Sequence, residues 1–411
     1  MSRRLEVLLH DRPVGEISET PDGGTEFRFS SAYRDLAPRP ILGQKFEDDL
    51  EKVYHSRRGQ GLPDFFANLI PEGRLRNLIE ESGGLEEGDD LALLAFVGRD
   101  LPGAVTIQAL DEGAGPSTME RPDLPVRAEE AEIEDGLRFS LAGVQLKFSM
   151  LLKGDKLTLP ARNSSGEWIV KFDSVSFPSL PENEFSMLEW ARAIDIEVPE
   201  CQLHSVNDVE GFPRRYATAG TKVLAIRRYD RLAEGLRIHQ EDFAQAVGLP
   251  PRKKYDHVTY EAMALLAQRF IDESAAQELL RRLVFVIASG NNDAHLKNWS
   301  LIYPDGIRAR WSPLYDQVAT VAWQEPSRQL ALNLASIKEF GRIDGSSFER
   351  FSKKAQMDQR IVLKLVEETL EQLRAAWRSM ASNLPLPEEH KAALRNHWRQ
   401  VPLLRAAGSL D

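Results

Sequence analysis

The stretch GNNDAHLKNWSLIY, residues 290–303, sets Asn291, Asn292, Asp293, His295, Lys297 and Asn298 between two apolar runs, LVFVIAS and WSLIY. Polar side chains gathered between segments that read as buried mark either a site or a turn. Asp293 is followed five positions later by Asn298, and the turn PDG at 304–306 reverses the chain into IRARWSPLYD, which can return Asp316 to Asn298. Phosphoryl transfer from ATP asks for such a set. One carboxylate orients the accepting hydroxyl, while an amide and a second carboxylate offer hard oxygens to Mg2+. Standing alone, the spacing also fits a capping or turn pattern, because Asn and Asp favour turns for local reasons.

The same Asp-to-Asn interval occurs in the catalytic loop of protein kinases, which also need a lysine on a strand of a preceding sheet. Lys171 in EWIVKFD fits that need, although an exposed edge-strand lysine would read the same way. Glu184, in PENEFSMLEWARAI, is set to pair with Lys171 or to face a helix N-terminus. Before both comes RFSLAGVQLKFS. Its small residues Ser140, Ala142 and Gly143 would let backbone amides approach a phosphate beside Lys147, or would simply form a hairpin. His295 has no second histidine at metal-ligand spacing, so it is expected to pack and hydrogen-bond within the loop. Lys297 would neutralise phosphate charge or lie in solvent. Arg252, Lys253 and Lys254 form a basic run, which reads as a solvated face or as a rim suited to an acidic or tRNA-associated partner.

Three kinds of segment must position these residues. Residues 1–110 combine strand-like LEVLLH and EFRFS with the amphipathic DFFANLIPEGRLRNLIEE, and predict a small α/β domain. Residues 111–136 are rich in Pro, Gly and acid and read as a linker. Residues 137–239 read as a sheet-rich lobe, and 240–411 as a helical lobe in which Trp377 and Trp398 are core residues. With 42% hydrophobic and 28% charged residues in 411, disorder is excluded as the main theme. A net charge of -11 leaves no broad basic field for nucleic acid or an anionic membrane. The only cysteine, Cys201, and the lack of any run near the ~18 apolar residues of a membrane span point to the cytoplasm.

Taken in order, SLAGVQLK, IVKF, ENEF, RRYDR, QEDFAQAVGLP with KKYD, GNNDAHLKNWS and SPLYD resemble the HipA family of bacterial serine/threonine kinases, the toxin halves of HipBA toxin–antitoxin modules. FFANLIPEG and GRDLPGAVTI resemble that family's small N-terminal domain, so the likeness covers nearly the whole chain. It implies an α/β plus α, bilobal protein-kinase-like fold that uses ATP and Mg2+. Asp293 would be the catalytic base, assisted by Lys297, with Asn298 and Asp316 on Mg2+. Lys171 and His295 would meet the nucleotide, together with Ser140, Ala142, Gly143, Val144, Gln145 and Lys147. Ile226, Arg227, Arg228 and Tyr229 would form the hinge beside adenine. Arg227 stands where the best-known member has an acid, so adenine contacts there would run through the backbone.

The likeness also implies inactivating autophosphorylation at Ser140, where a phosphoserine would displace the phosphate-binding loop. The expected partner is a HipB-like helix-turn-helix antitoxin, through which alone the protein would meet DNA. The expected substrate is an aminoacyl-tRNA synthetase or another translation protein. Two other readings stay open: an ATP-binding pseudokinase that acts as co-repressor or scaffold, and a metal-dependent phosphohydrolase. The second lacks the further paired carboxylates or histidines of a two-metal site.

Overall fold

The computed structural model describes residues 2–110, 147–154, 156–158, 166–210, 220–323 and 328–406. Alternation in RLEVLL and TEFRF sends apolar side chains to one face and polar ones to the other, which makes strands that bury a single face. Among the described residues, β1 (Arg4–Leu9), β2 (Arg12–Glu19), β3 (Thr25–Phe29), β4 (Tyr54–Ser56) and β5 (Val105–Ala109) form an antiparallel sheet in the order β4-β3-β2-β1-β5. Helices α1 (Ser31–Arg34), α2 (Asp64–Ala67), α3 (Gly73–Gly83) and α4 (Asp90–Val97) accompany it, with Phe65, Phe66, Leu91 and Leu94 in its core. Its last strand ends at Ala109, and the expected linker lies outside the described residues.

The second sheet contains β6 (Lys147–Lys153), β7 (Lys156–Thr158), β8 (Trp168–Lys171), β9 (Cys201–Ser205), β10 (Val209–Glu210) and β11 (Lys222–Arg227). Their order is β10-β7-β6-β8-β11-β9, antiparallel except for the β10-β7 pair. Between β8 and β9 runs α5 (Leu180–Arg192), whose Leu188 clusters with Leu224 and Ile226 of β11. That packing fixes the helix carrying Glu184 against the strands next to Lys171.

The helical lobe begins with β12 (His239–Asp242), α6 (Phe243–Val247), α7 (Tyr260–Phe270) and α8 (Ala275–Ser289). It continues through β13 (Ser300–Tyr303), β14 (Arg310–Trp311), β15 (Gln329–Leu334), β16 (Ile337–Glu339), α9 (Gly345–Lys354), α10 (Gln359–Met380) and α11 (Glu388–Gln400). His239 pairs with Tyr303 across β12 and β13, so the sheet lobe ends before 239, within the connection 228–238. The run LVFVIAS is apolar on all sides because the second half of α8 is the centre of this lobe. Trp190 of α5, Trp377 of α10 and Trp398 of α11 meet there, with ring centroids 4.8 to 6.0 Å apart. The Trp398 indole donates to the carbonyl of Ala288, two residues before the loop at 290. The two tryptophans read as core are therefore core, and they tie α5 to the end of α8.

The N-terminal domain docks on this frame through buried polar contacts. The Glu241 carboxylate accepts from the Gln44 backbone N–H at 2.9 Å and from the Tyr303 hydroxyl at 2.5 Å. Burial pushes its pKa up to about 8, from an ordinary value near 4.5. The folded protein thus holds a proton that the unfolded chain releases. This contribution to stability is complete below about pH 4.5 and is lost as pH rises toward about 8. The melting temperature of wild type should therefore fall more steeply over that window than that of Glu241→Gln, and equal slopes would refute the assignment.

Candidate active site

The loop between α8 and β13 is set by its two ends. Gly290, at φ 64°, closes α8 with its N–H on the Ile287 carbonyl while the Asn291 N–H reaches Val286. A Cβ at Gly290 would lie 2.5 Å from Val321, so only glycine fits the turn. At the other end, β13 and β14 pair Leu301 with Trp311, and the Ser312 N–H donates to Ser300, so the chain does return toward the loop. The Tyr315 hydroxyl bonds the Lys297 carbonyl at 2.8 Å and the Ser300 hydroxyl at 2.6 Å, which staples the residue before Asp316 to the loop.

Asn291 joins the two acids directly. Its Oδ1 accepts from the Asp293 N–H at 2.9 Å, and its Nδ2 donates to the Asp316 carbonyl at 3.5 Å and to Gln317 Oε1 at 3.3 Å. Asn298 Nδ2 donates to the Asp293 carbonyl at 3.0 Å, which leaves the amide oxygen as its ligand atom. Asp293, Asn298 and Asp316 thus share one locality, as expected from the spacing. Asp316 itself has φ 52°, a left-handed conformation that Asp tolerates and that the surrounding bonds hold in place.

Lys171 is the last residue of β8 and is nearly fully buried. Its ammonium lies 2.5 Å from Glu184 Oε1 and also bonds the Asp316 carboxylate. Burial opposes the charge on Lys171, but Asp316 and Glu184 outweigh it and raise the pKa above the ordinary lysine value. For Asp316, burial works upward but the nearby Lys171 and Lys147 hold it well below the usual carboxylate range. Burial pushes Glu184 upward, against the pull of Lys171. The ion pair decides between the two readings of Glu184, since the first-turn acid of α5 is Glu182. Lys147 sits directly opposite Lys171 in the β6–β8 register, on the same face of the sheet.

His295 departs from expectation. It is buried and stands edge-on to Tyr255 at 5.0 Å, but neither ring nitrogen has a hydrogen-bond partner among the described residues. Burial, with Lys254 and Lys297 nearby, pushes its pKa down to about 3, so the imidazole is neutral and both nitrogens are open to a bound group. Lys297 is not a free cation. Its ammonium lies 2.5 Å from Glu72 Oε1 and 3.2 Å from the Asn68 carbonyl. Lys254, read as part of a basic run, is buried and bonds Glu72 Oε2 at 2.9 Å, which leaves Arg252 and Lys253 as the outer members of that run.

The hinge segment also needs correction. Arg228 was expected beside adenine, yet its N–H donates to the Glu167 carbonyl and its guanidinium bonds Asp100, Asp230 and the Leu101 carbonyl. Its polar groups serve the dock between the N-terminal domain and the sheet lobe. The Arg227 N–H is likewise taken, by the Glu200 carbonyl. Tyr229 is half-buried, with its ring 6.0 Å from that of Tyr315 and its hydroxyl on Gln240, and Ile226 is buried. Ser140, Ala142, Gly143, Val144 and Gln145 lie outside the described residues.

Several residues at the site were not singled out from the sequence. The Tyr255 hydroxyl donates to Asp293 Oδ1, so one carboxylate oxygen is occupied. KKYD contains this tyrosine, but nothing local pairs it with residue 293. Asn183, fully buried beside Glu184, accepts from the Ala319 N–H at 2.8 Å and lies 3.1 Å from His390 Nδ1. It links α5, the segment after Asp316 and α11. Chemically, the donor set is oxygen only for a cation, with Asn298 and Asp316, and cationic for an anion, with Lys171, Lys147 and Lys297. That suits Mg2+ and a polyphosphate.

Known proteins share this architecture. Residues 5–108 match the family model of the HipA N-terminal domain, and residues 139–377 match that of the HipA-like C-terminal domain. The chain is 38% identical over 409 residues to the Sinorhizobium fredii protein Y4dM, covering 98% of each chain. It is 27% identical over 376 residues to the serine/threonine-protein kinase toxin HipA of Shewanella oneidensis, covering 83% of this chain and 82% of that one. A solved complex of Shewanella oneidensis HipA and HipB with operator DNA contains a chain of the same fold. Its TM-score is 0.77 at 23% identity, over 99% of this chain and 98% of that chain. With both domains matched in order and a relative of this identity along almost the whole length, the chain belongs to the HipA family and has its bilobal, kinase-like fold.

Proposed function

We propose that the protein is a Mg2+-dependent serine/threonine protein kinase of a toxin–antitoxin module, acting in the cytoplasm. The observation that carries this reading is the Lys171 ammonium between Glu184 and Asp316, with Asp293 and Asn298 on the adjoining loop. Lys171 and Lys147 would hold ATP phosphates, and His295 would offer a neutral imidazole to the same group. Asn298 and Asp316 would hold Mg2+, which would neutralise phosphate charge during the transfer. Asp293, whose carboxylate Tyr255 bonds, would receive the hydroxyl of the accepting serine on a carboxylate oxygen. That oxygen takes the proton as the serine Oγ bonds to the γ-phosphorus and the bond to the leaving ADP oxygen breaks. Lys297 would offset charge that develops during the transfer.

The substrate would be a protein serine, on an aminoacyl-tRNA synthetase or another translation protein, and the chain's own Ser140, where modification would shut the kinase off. A HipB-like antitoxin would be the partner and would supply the DNA contact, as the Shewanella complex supports. To test the reading, unphosphorylated protein is incubated with Mg2+ and γ-labelled ATP, and the phosphate is mapped by mass spectrometry. Label on Ser140 in wild type and none in Asp316→Ala is the expected result. A wild-type chain that binds ATP but takes no label would favour a pseudokinase scaffold instead.

A further inference from the structure

We infer that Glu72 of the N-terminal domain is a positioning residue for the loop 291–298, so that this domain forms part of the phosphoryl-transfer machinery; the inference rests on the kinase reading above. Glu72 stands immediately before α3 in an extended conformation, and its side chain makes no capping bond to that helix. The carboxylate instead crosses to the helical lobe, with Oε1 on Lys297 at 2.5 Å and Oε2 on Lys254 at 2.9 Å. The Lys254 carbonyl in turn accepts from the Leu296 N–H at 3.1 Å. One carboxylate therefore closes a ring through the backbone of the loop that carries Asp293 and Asn298. Asn68 reinforces the dock, since its carbonyl accepts from Lys297 and its Nδ2 donates to the Leu249 carbonyl at 2.8 Å.

The arrangement has an electrostatic reason. Lys254 and Lys297 are like charges on two sides of the neutral His295, and both act to keep that imidazole uncharged. Glu72 is the carboxylate that both ammonium groups bond. Although burial pushes its pKa up, Lys297 and Lys254 outweigh this and hold it down to about 2, so it stays ionised at physiological pH. Without that charge the two ammonium groups would repel each other, and Lys297 would turn from the cleft toward water. The loop would then lose its tether on the side away from Asn291.

The test uses the full chain as wild type, Glu72→Gln, Glu72→Asp and a control, Glu47→Gln, whose side chain pairs with Arg39 away from the site. Two quantities are read: the rate of label incorporation from Mg2+ and γ-labelled ATP over a range of ATP, and amide exchange of the peptide 291–299. Glu72→Gln is expected to lower the rate at saturating ATP by about tenfold or more, because displacement of a reacting group by a fraction of an ångström is costly. The half-saturating ATP concentration should stay within about twofold. Glu72→Asp, which keeps the charge, should recover part of the rate, and exchange of 291–299 should quicken in Glu72→Gln but not in the control. An unchanged rate in Glu72→Gln, or a loss that Glu72→Asp does not relieve at all, overturns the inference. If wild type itself transfers no label, the kinase reading has failed. Exchange then decides the clamp alone, and unchanged exchange in Glu72→Gln overturns it.

Discussion

Asp293→Asn is expected to lower phosphoryl transfer by about a thousandfold, within the range that loss of a positioned acid–base group produces. On the kinase reading, the substitution removes the proposed proton acceptor. Asparagine retains an oxygen for the Tyr255 hydroxyl, and the backbone bonds from Asp293 to Asn291 Oδ1 and from Asn298 to the Asp293 carbonyl do not involve the carboxylate charge. Nucleotide affinity, measured by calorimetry, should therefore stay within about threefold of wild type while single-turnover incorporation of γ-label collapses. Retention of most of the rate would remove Asp293 from the base role. Loss of rate together with loss of affinity would mean that the residue shapes the nucleotide site.

Lys171→Met should destabilise the protein as well as inactivate it. Lys171 and Glu184 are buried and Asp316 beside them is half-buried, and Glu184 Oε2 already lacks a partner among the described residues. Removing the ammonium leaves two carboxylates without the cation between them, and that of Glu184 is fully buried. Breaking a buried pair from one side costs about 3–5 kcal/mol, far more than an intact pair contributes. A urea titration should register this as a lower midpoint. The double variant Lys171→Met with Glu184→Gln should be more stable than Lys171→Met alone, because one of the stranded charges is gone. If the single and double variants unfold at the same midpoint, burial of Glu184 against Lys171 is not the source of the loss.

Much of the site could be read along the chain because its parts are local. The apolar run of α8, the polar loop and the β13–β14 hairpin lie within one stretch, so a periodicity and a turn signal were enough to bring Asp316 back beside Asn298. Lys171 and Glu184 are 13 residues apart, on a strand and the helix that follows it, so their pairing was one of two readings open along the chain. Helices in the second half were equally plain, including the one that buries Trp377. Motif order then pointed to the family, and the models of both family domains match the chain in order.

Other features were settled only when distant segments met. A charged residue announces its charge but not its partner. Arg228 looked free to face adenine until Asp100, 128 residues earlier in the chain, took its guanidinium. Lys297 and Lys254 looked like loop and surface cations until Glu72, 225 residues before Lys297, paired with both. His295 was expected to hydrogen-bond, and its surroundings instead leave both nitrogens without a protein partner among the described residues. Local periodicity and turn chemistry act over a few residues, so they determine which elements form and which side chains each can present. Charge pairing and desolvation depend on what is packed alongside, and that is decided by docking of the N-terminal domain on the two lobes.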